Sequence, residues 1–380
     1  MHSFRETLYY LWKKVAEKQR RQHFLTEIYE IDMERFNKCK ERKEPSQINK
    51  EMNILQKYWG CKPLHYYYHD FYRKDCKVTI EEMKKFVPDY FIYNLFYPRS
   101  FKDYGILCED KGLTYAILKG YNLSQPKMIF RFDDGKFYDE FNGPINGTTV
   151  DELISASKAE KLFVKPNLGM GGKGILIFNK KDHLFINEKG VKLEYNLLKK
   201  EVNEGSYVVQ EGMIQSEEMN KLYSHSANTY RMVTECVNGE AKLIFSLLRM
   251  GSGGKQVDNA SSGGLFIKID PETGKMAEYA YTKYHTIHYE HPDTKFVYKD
   301  AKFSNWEEVK DFVLIAATKF RDIKYLGWDI AVSDKGPVVI EINNGPSLNL
   351  IQDCYGGIRD ILKINPKEWW YNSKYTIKEL

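Results

Sequence analysis

The run Val164-Lys165-Pro166-Asn167-Leu168-Gly169-Met170-Gly171-Gly172-Lys173-Gly174 constrains this chain more than any other. Four of its last six residues are glycine. Glycine lets the main chain approach a ligand closely, so N–H groups here can cradle an anion such as phosphate. Two familiar phosphate loops are excluded. A Walker A loop needs glycine five positions before Gly172, where Asn167 stands, and Ser or Thr after Lys173, where Gly174 stands. A dinucleotide-binding loop opens a helix, whereas residues 174–178 read as strand. The run is therefore a strand, a glycine loop and a second strand, with Lys165 at the end of the first. A lid over a nucleotide and a plain glycine-rich hairpin both fit.

A second hairpin is written in Gly327-Trp328-Asp329 and the residues to 343, turning at 333–337. If Val332 pairs with Val338, Asp329 stands opposite Glu341, and Asn343 shares the face of Glu341. Trp328, Ile330, Ile340 and Ile342 then point into a core on the other face. Oxygen donors without His or Cys suit Mg²⁺ rather than zinc. A solvated polar face on an edge hairpin is the alternative. Arg231 and Arg249 fall inside apolar β runs, where a guanidinium needs a phosphate, a carboxylate or a cross-strand acid as partner. Asp258-Asn259 and Gly263-Gly264 follow in a polar, glycine-rich loop. The string Gln210-Glu211-Gly212-Met213 reads as a strand ending in a hinge, able to offer backbone groups to a base edge or simply to end a strand.

Around these strings the chain reads as layered α+β structure. Residues 4–43 have helical periodicity, and 49–105 are rich in Tyr and Lys without a firm pattern. A helix is expected over 110–119 and strands over 128–132, 162–164, 207–210, 229–237, 242–248 and 265–269. Capping boxes at 149–152 and 304–307 predict two helix starts. The expected division is a mainly helical, chain-specific module over 1–105, a second domain over 106–365 and a tail over 366–380. Within the second domain, a lid subdomain spans about 150–212 and a metal and acceptor subdomain about 213–355.

Composition narrows the classes. With 42% hydrophobic and 29% charged residues the chain is not a disordered one, and 380 residues make two or three units. Six scattered cysteines without a Cys-x-x-Cys pair argue against a zinc ribbon or a disulfide framework. No window reaches the ~18 apolar residues of a membrane span, and no secretory h-region is present, so a cytoplasmic protein is expected. Residues 1–23 hold six basic and two acidic side chains, most of the net charge of +5. A nucleic-acid surface is not implied; weak peripheral contact of this one helix with an anionic membrane is a possible use, beside a plain solvated basic face.

Taken in order, these strings resemble the ATP-grasp superfamily, and most closely its sugar-transfer-associated (TupA-like) branch. The matching pieces are Lys165-Pro166 with Gly169, Gly171, Gly172 and Gly174; Gln210-Glu211; Asn228-Thr229-Tyr230-Arg231; Leu248-Arg249-Met250-Gly251 with Asp258-Asn259 and Gly263-Gly264; Ile269-Asp270 with Gly274; Gly327-Trp328-Asp329; and Gly336-Pro337 with Glu341 and Asn343. Coverage runs from about residue 110 to 349. The resemblance implies an ATP-grasp fold, two α+β subdomains clamping ATP, with an N-terminal mainly helical extension. It implies that Lys165 and Lys111 contact phosphate, with Gly169, Gly171, Gly172 and Lys173 in the lid. Gln210, Glu211 and Met213 would line the adenine site and Glu218 would meet the ribose. Asp329, Glu341 and Asn343 would hold Mg²⁺. Many ATP-grasp ligases carry Arg two residues before the first metal carboxylate; here Gly327 stands there, which leaves Arg249 or Arg231 as the transition-state cation. The implied activity is an ATP-dependent carboxylate–amine ligase working through an acyl phosphate, on a sugar-linked or small-molecule carboxylate and an amine, in surface polysaccharide synthesis. A phosphotransferase acting on a sugar hydroxyl and a non-catalytic ATP-binding module are the alternatives.

Overall fold

The computed structural model describes residues 33–169, 174–201 and 205–371. The basic stretch 1–23 and the loop tip with Gly171, Gly172 and Lys173 lie outside them. The chain divides into two compact units, one from Ser100 to Pro346 and one made of the residues up to Arg99 together with those from Ser347 onward. The division expected from sequence fell after 105 and carried the second domain to 365.

The larger unit holds two seven-stranded antiparallel sheets. The first contains β1 (Met128–Asp133), β2 (Lys136–Asp139), β3 (Pro144–Ile145), β4 (Lys161–Pro166), β5 (Leu176–Lys181), β6 (Leu184–Ile186) and β7 (Ser206–Glu211), in the order β3-β2-β1-β7-β4-β5-β6. It begins well before residue 150. β4 and β5 pair antiparallel, Val164 opposite Leu176, so the glycine run does join two strands of a hairpin. Helices Gly147–Ala156 and Tyr195–Glu201 cover one face, with Val150, Ile154 and Leu198 packed on Phe130, Phe132, Leu162 and Phe178. The first helix starts earlier than its expected capping box: Asn146 is the cap and accepts the Thr149 N–H at 3.0 Å.

The second sheet contains β8 (Thr229–Val237), β9 (Glu240–Met250), β10 (Leu265–Lys268), β11 (Ala280–Thr282), β12 (Ile287–His288), β13 (Tyr325–Ser333) and β14 (Gly336–Asn343). Their order is β12-β11-β10-β9-β8-β13-β14. Helix Trp306–Lys319 packs Trp306, Val309, Val313 and Ala316 against Tyr230, Met232, Leu248 and Trp328. Period-two alternation leaves the other face of these strands for Arg231, Arg249 and Asp329. The core thus fixes which residues the site face receives.

In the smaller unit, Pro45 opens helix Pro45–Trp59, and the Tyr-rich region that has no firm sequence pattern folds as short helices. Of the helix expected over 4–43, residues 33–38 are described and helical, and 39–44 are not helical. Helix Asn349–Tyr355 belongs to this unit: Gln352 accepts the Val87 N–H at 2.6 Å and donates to the Val87 carbonyl at 3.1 Å. No described helix is long and apolar enough to cross a membrane.

Candidate active site

The glycine loop is rooted on a helix start. Asp110 caps helix Lys111–Gly120, accepting the Leu113 N–H at 2.8 Å. Asn167 donates from Nδ2 to the second Asp110 oxygen at 2.7 Å and accepts the Gly112 N–H at 2.9 Å. The Lys111 ammonium in turn donates to the Gly169 carbonyl at 2.8 Å. Three polar links therefore set where the glycine run leaves the sheet.

Lys165 sits near the end of β4 with its ammonium 5.4 Å from the centre of the Phe163 ring. It has no ion pair or hydrogen bond among the described residues. Burial removes water from the ammonium and lowers its pKa to about 8; Glu341 opposes the fall and Lys111 adds to it. Lys111 is lowered too, mainly by burial, against the pull of Glu341 and Asp110.

At the hinge, Gln210 is buried between Met128 and Phe163 of the flanking strands. The Glu211 and Gly212 N–H groups donate to the carbonyls of Lys127 and Lys161 at 2.8 and 2.7 Å. The Met213 N–H has no backbone acceptor among the described residues. Glu218 is engaged elsewhere. It accepts the Ser304 N–H at 2.9 Å and the Ser304 hydroxyl at 2.6 Å, at the start of helix Trp306–Lys319. The capping box expected at 304–307 does not form; Asn305 is the cap position but its side chain does not cap the helix, accepting instead from the Tyr230 hydroxyl at 3.1 Å, and Glu307 pairs with Lys302 at 3.1 Å. Glu218 replaces that box from another segment instead of standing open to a ribose.

The opposite wall is the polar face of the second sheet. Glu341 stands opposite Asp329, and Asp329 opposite Arg231. The expected starting pair is wrong by one residue, since Val332 meets Pro337. A β-bulge at Ile340 adds the missing residue and restores the Asp329–Glu341 pair. The bulge also moves the core: Val339, not Ile340, joins Trp328, Ile330 and Ile342 inside.

Arg231 grips Asp329 with two prongs, Nε to Oδ1 and Nη2 to Oδ2 at 2.8 Å. Arg249 reaches Asp329 Oδ2 from Nη1 at 3.4 Å. Its other edge is held by Asp258, Nη2 to Oδ1 at 2.8 Å and Nε to Oδ2 at 3.2 Å, and the Thr229 hydroxyl donates to the same carboxylate. Sequence reading places Asp258 and Thr229 in matching strings without a role; only their contact with Arg249 shows one. Burial alone would raise Asp329, but Arg231 and Arg249 hold its carboxyl below the usual range. Glu341 goes the other way, raised by burial and by the neighbouring Asp329, against Lys111 and the two arginines.

The donor types here suit a magnesium ion, which would share the Asp329 oxygens with Arg231 and Arg249. Asp329, Glu341 and Asn343 offer hard oxygen donors on adjacent strands. Glu341 has no ion pair among the described residues, and two facing buried carboxylates repel. Asn343 adds to the lowering of Asp329 by polarisation, its buried Nδ2 meeting no partner at hydrogen-bond geometry. No cluster of three His, Cys, Asp or Glu side chains suited to a metal occurs among the described residues. At Gly327, a Cβ would lie 2.6 Å from Pro346 Cβ, so an arginine has no room there. Arg231, one strand over, meets the same carboxylate.

Residues 93–361 match the family model described as sugar-transfer associated ATP-grasp. The chain belongs to the sugar-transfer associated ATP-grasp family. Among solved structures, this ATP-grasp chain is similar to the D-alanine–D-alanine ligase of Bacillus anthracis, at 14% identity over 70% of each chain and a TM-score of 0.37. The N5-carboxyaminoimidazole synthetase of Staphylococcus aureus complexed with ADP has 13% identity over 65% of this chain and 48% of its own, at 0.38. The biotin carboxylase of Campylobacter jejuni has 8% identity over 69% of this chain and 46% of its own, at 0.41. This chain therefore spans about half the length of the last two. A comparison with curated protein sequences finds no match. The family match makes the two sheets the two halves of an ATP-grasp fold.

Proposed function

We propose that this protein is an ATP-dependent carboxylate–amine ligase that modifies a glycan precursor with an amino acid or amine. The observation that carries the reading is the half-buried Lys165 ammonium and Glu341 carboxylate, without ion-pair partners at contact distance among the described residues, beside two arginines converging on Asp329. Partly desolvated charges that lack a contact partner in a cleft of charged groups mark where a charged ligand completes the site.

In this reading Lys165 and Lys111 neutralise the triphosphate, and the lid rooted on Asn167 excludes water. Asp329, Glu341 and Asn343 would hold Mg²⁺, which neutralises further phosphate charge when bound. A carboxylate oxygen of the acceptor attacks the γ-phosphorus, the bond to the bridging oxygen breaks, and ADP departs. An amine then attacks the acyl carbon, phosphate leaves with the bonding pair, and the amine loses a proton to solvent. Arg249 lies beside the metal set, where its guanidinium can bind a carboxylate or the transferred phosphoryl.

Hydroxylamine tests this directly. With MgATP and a panel of sugar acids and amino acids, trapping should give a hydroxamate together with free phosphate. A stable phosphorylated sugar with ADP and no hydroxamate would establish the phosphotransferase instead, and no ATP turnover with any acceptor would favour a non-catalytic module.

A further inference from the structure

β9 ends at Met250, one residue past Arg249, and the chain then runs through the glycine-rich loop 251–264 before β10 begins. Asp258, which holds the Arg249 guanidinium, lies on this loop. Whatever fixes the loop therefore fixes the arginine. The loop is loose by composition: Gly253 and Gly254 are exposed and both have positive φ.

Its first half is held from outside, by the turn His291-Pro292-Asp293-Thr294. His291 is fully buried, and its Nε2 lies 2.9 Å from the carbonyl oxygen of Gly251, two residues beyond Arg249. Its Nδ1 accepts the backbone N–H groups of Asp293 and Thr294 at 3.2 and 3.4 Å. A ring nitrogen that accepts N–H groups carries no proton, so this network puts the proton on Nε2, which donates to Gly251. Asp293, placed by the same turn, accepts the Gly253 N–H at 2.7 Å. Tyr223, its ring 5.2 Å from that of His291, donates its hydroxyl to the Lys255 carbonyl at 3.0 Å. Loop residues 251, 253 and 255 are thus anchored in turn. The approach needs glycine at 251, where a Cβ would lie 2.6 Å from Ser226 Oγ and from Tyr223 Cε1. At the other end of the loop, a Cβ on Gly264 would overlap the Asp258 carbonyl.

The titratable groups facing His291 are Asp293 and Lys295 beside it in the chain, His288 on β12, and Tyr223. Burial is the largest influence and lowers its pKa below the ordinary 6.5; His288 and Lys295 act in the same direction, and the Gly251 contact and Asp293 oppose. The ring is therefore neutral at neutral pH, as its two opposite contacts require. A proton taken up on Nδ1 would face the two N–H groups that this nitrogen now accepts.

We infer that His291 and Asp293 are positioning residues: they latch loop 251–264 and, through Asp258, hold Arg249 in its working orientation. The inference rests on the ligase reading for what Arg249 does, and on the hydrogen bonds for the latch itself.

Trypsin cleavage of the full chain between Lys255 and Gln256, measured by mass spectrometry against cleavage after the exposed Lys189, reads the latch. Hydroxamate formation reads the site. Asp293→Ala removes an exposed carboxylate and leaves the core intact. It should speed cleavage after Lys255 about tenfold and lower the maximal hydroxamate rate about tenfold, with MgATP affinity changed little. His291→Gln keeps a donor for Gly251 and does not titrate. It should retain most of the turnover at neutral pH, and its rate relative to wild type should rise as the pH falls from about 7 to about 5.5, where the wild-type ring takes up a proton. Unchanged cleavage and turnover in Asp293→Ala, or a His291→Gln rate that tracks wild type at every pH, would overturn the latch. Faster cleavage in Asp293→Ala, with no hydroxamate from wild type or either variant, would remove the ligase reading and keep the latch.

Discussion

Arg231 and Asp329 face each other across β8 and β13 and meet through two parallel contacts, Nε to Oδ1 and Nη2 to Oδ2. Both side chains are largely buried. An ion pair of this kind does little for net stability, but breaking it leaves a charge without compensation. Its consequence here is geometric. It holds the Asp329 carboxylate in place opposite Glu341.

Arg231→Ala should destabilise the fold by about 3 kcal/mol, the typical cost of orphaning a buried partner. Urea unfolding checks the value. Arg231→Lys keeps the charge and loses the fork, so it should fall between wild type and alanine. A loss below about 1 kcal/mol in Arg231→Ala would mean that Asp329 does not depend on this partner.

Asp258 touches Arg249 through two oxygens, and Thr229 orients Asp258. It acts on the site only through Arg249. Asp258→Asn keeps the shape and removes the charge, so the guanidinium should lose its fixed orientation. Hydroxamate formation should fall on the order of tenfold to a hundredfold, with MgATP affinity changed much less. Single-turnover trapping beside calorimetry separates the two quantities. Equal losses in binding and turnover would show Asp258 to be merely structural, and Thr229→Val should give a smaller loss of the same type.

Lys165 links pH to both stability and binding. Its folded pKa of about 8 lies below the ordinary 10.5, so the unfolded chain binds more protons between those values. Stability of the ligand-free protein should then rise with pH across that window, while below about pH 8 the full penalty of a buried ammonium is present. Lys165→Met should be more stable than wild type at pH 7 and lose this rise. The triphosphate favours the charged lysine, so MgATP binding at pH 8.5 should take up a proton in wild type and not in Lys165→Met. Calorimetry in two buffers of different ionisation enthalpy reads the uptake directly. A variant less stable at pH 7, with the wild-type pH dependence, would contradict the account.

Much of the scaffold follows from local rules. The glycine run with strands on both sides, the alternation of Trp328, Ile330 and Ile342 with Asp329, and the apolar stripe of helix Trp306–Lys319 are short-range patterns, and periodicity reports them. The same patterns bring Asp329, Glu341 and Asn343 to one face. By itself, then, the sequence determined the two hairpins and the common face of Asp329, Glu341 and Asn343. The tertiary structure alone decided who meets whom. The Arg231–Asp329 contact joins residues 98 positions apart, Asn167 to Asp110 spans 57, and Glu218 to Ser304 spans 86. The bulge at Ile340, which rescues a register that would otherwise slip by one, is likewise invisible locally, and so is the folding of Asn349–Tyr355 with the N-terminal helices. Periodicity sets which way a side chain points relative to its own strand or helix. Its partner is set by sheet order and by packing between distant segments, where desolvated charges must find each other or a ligand.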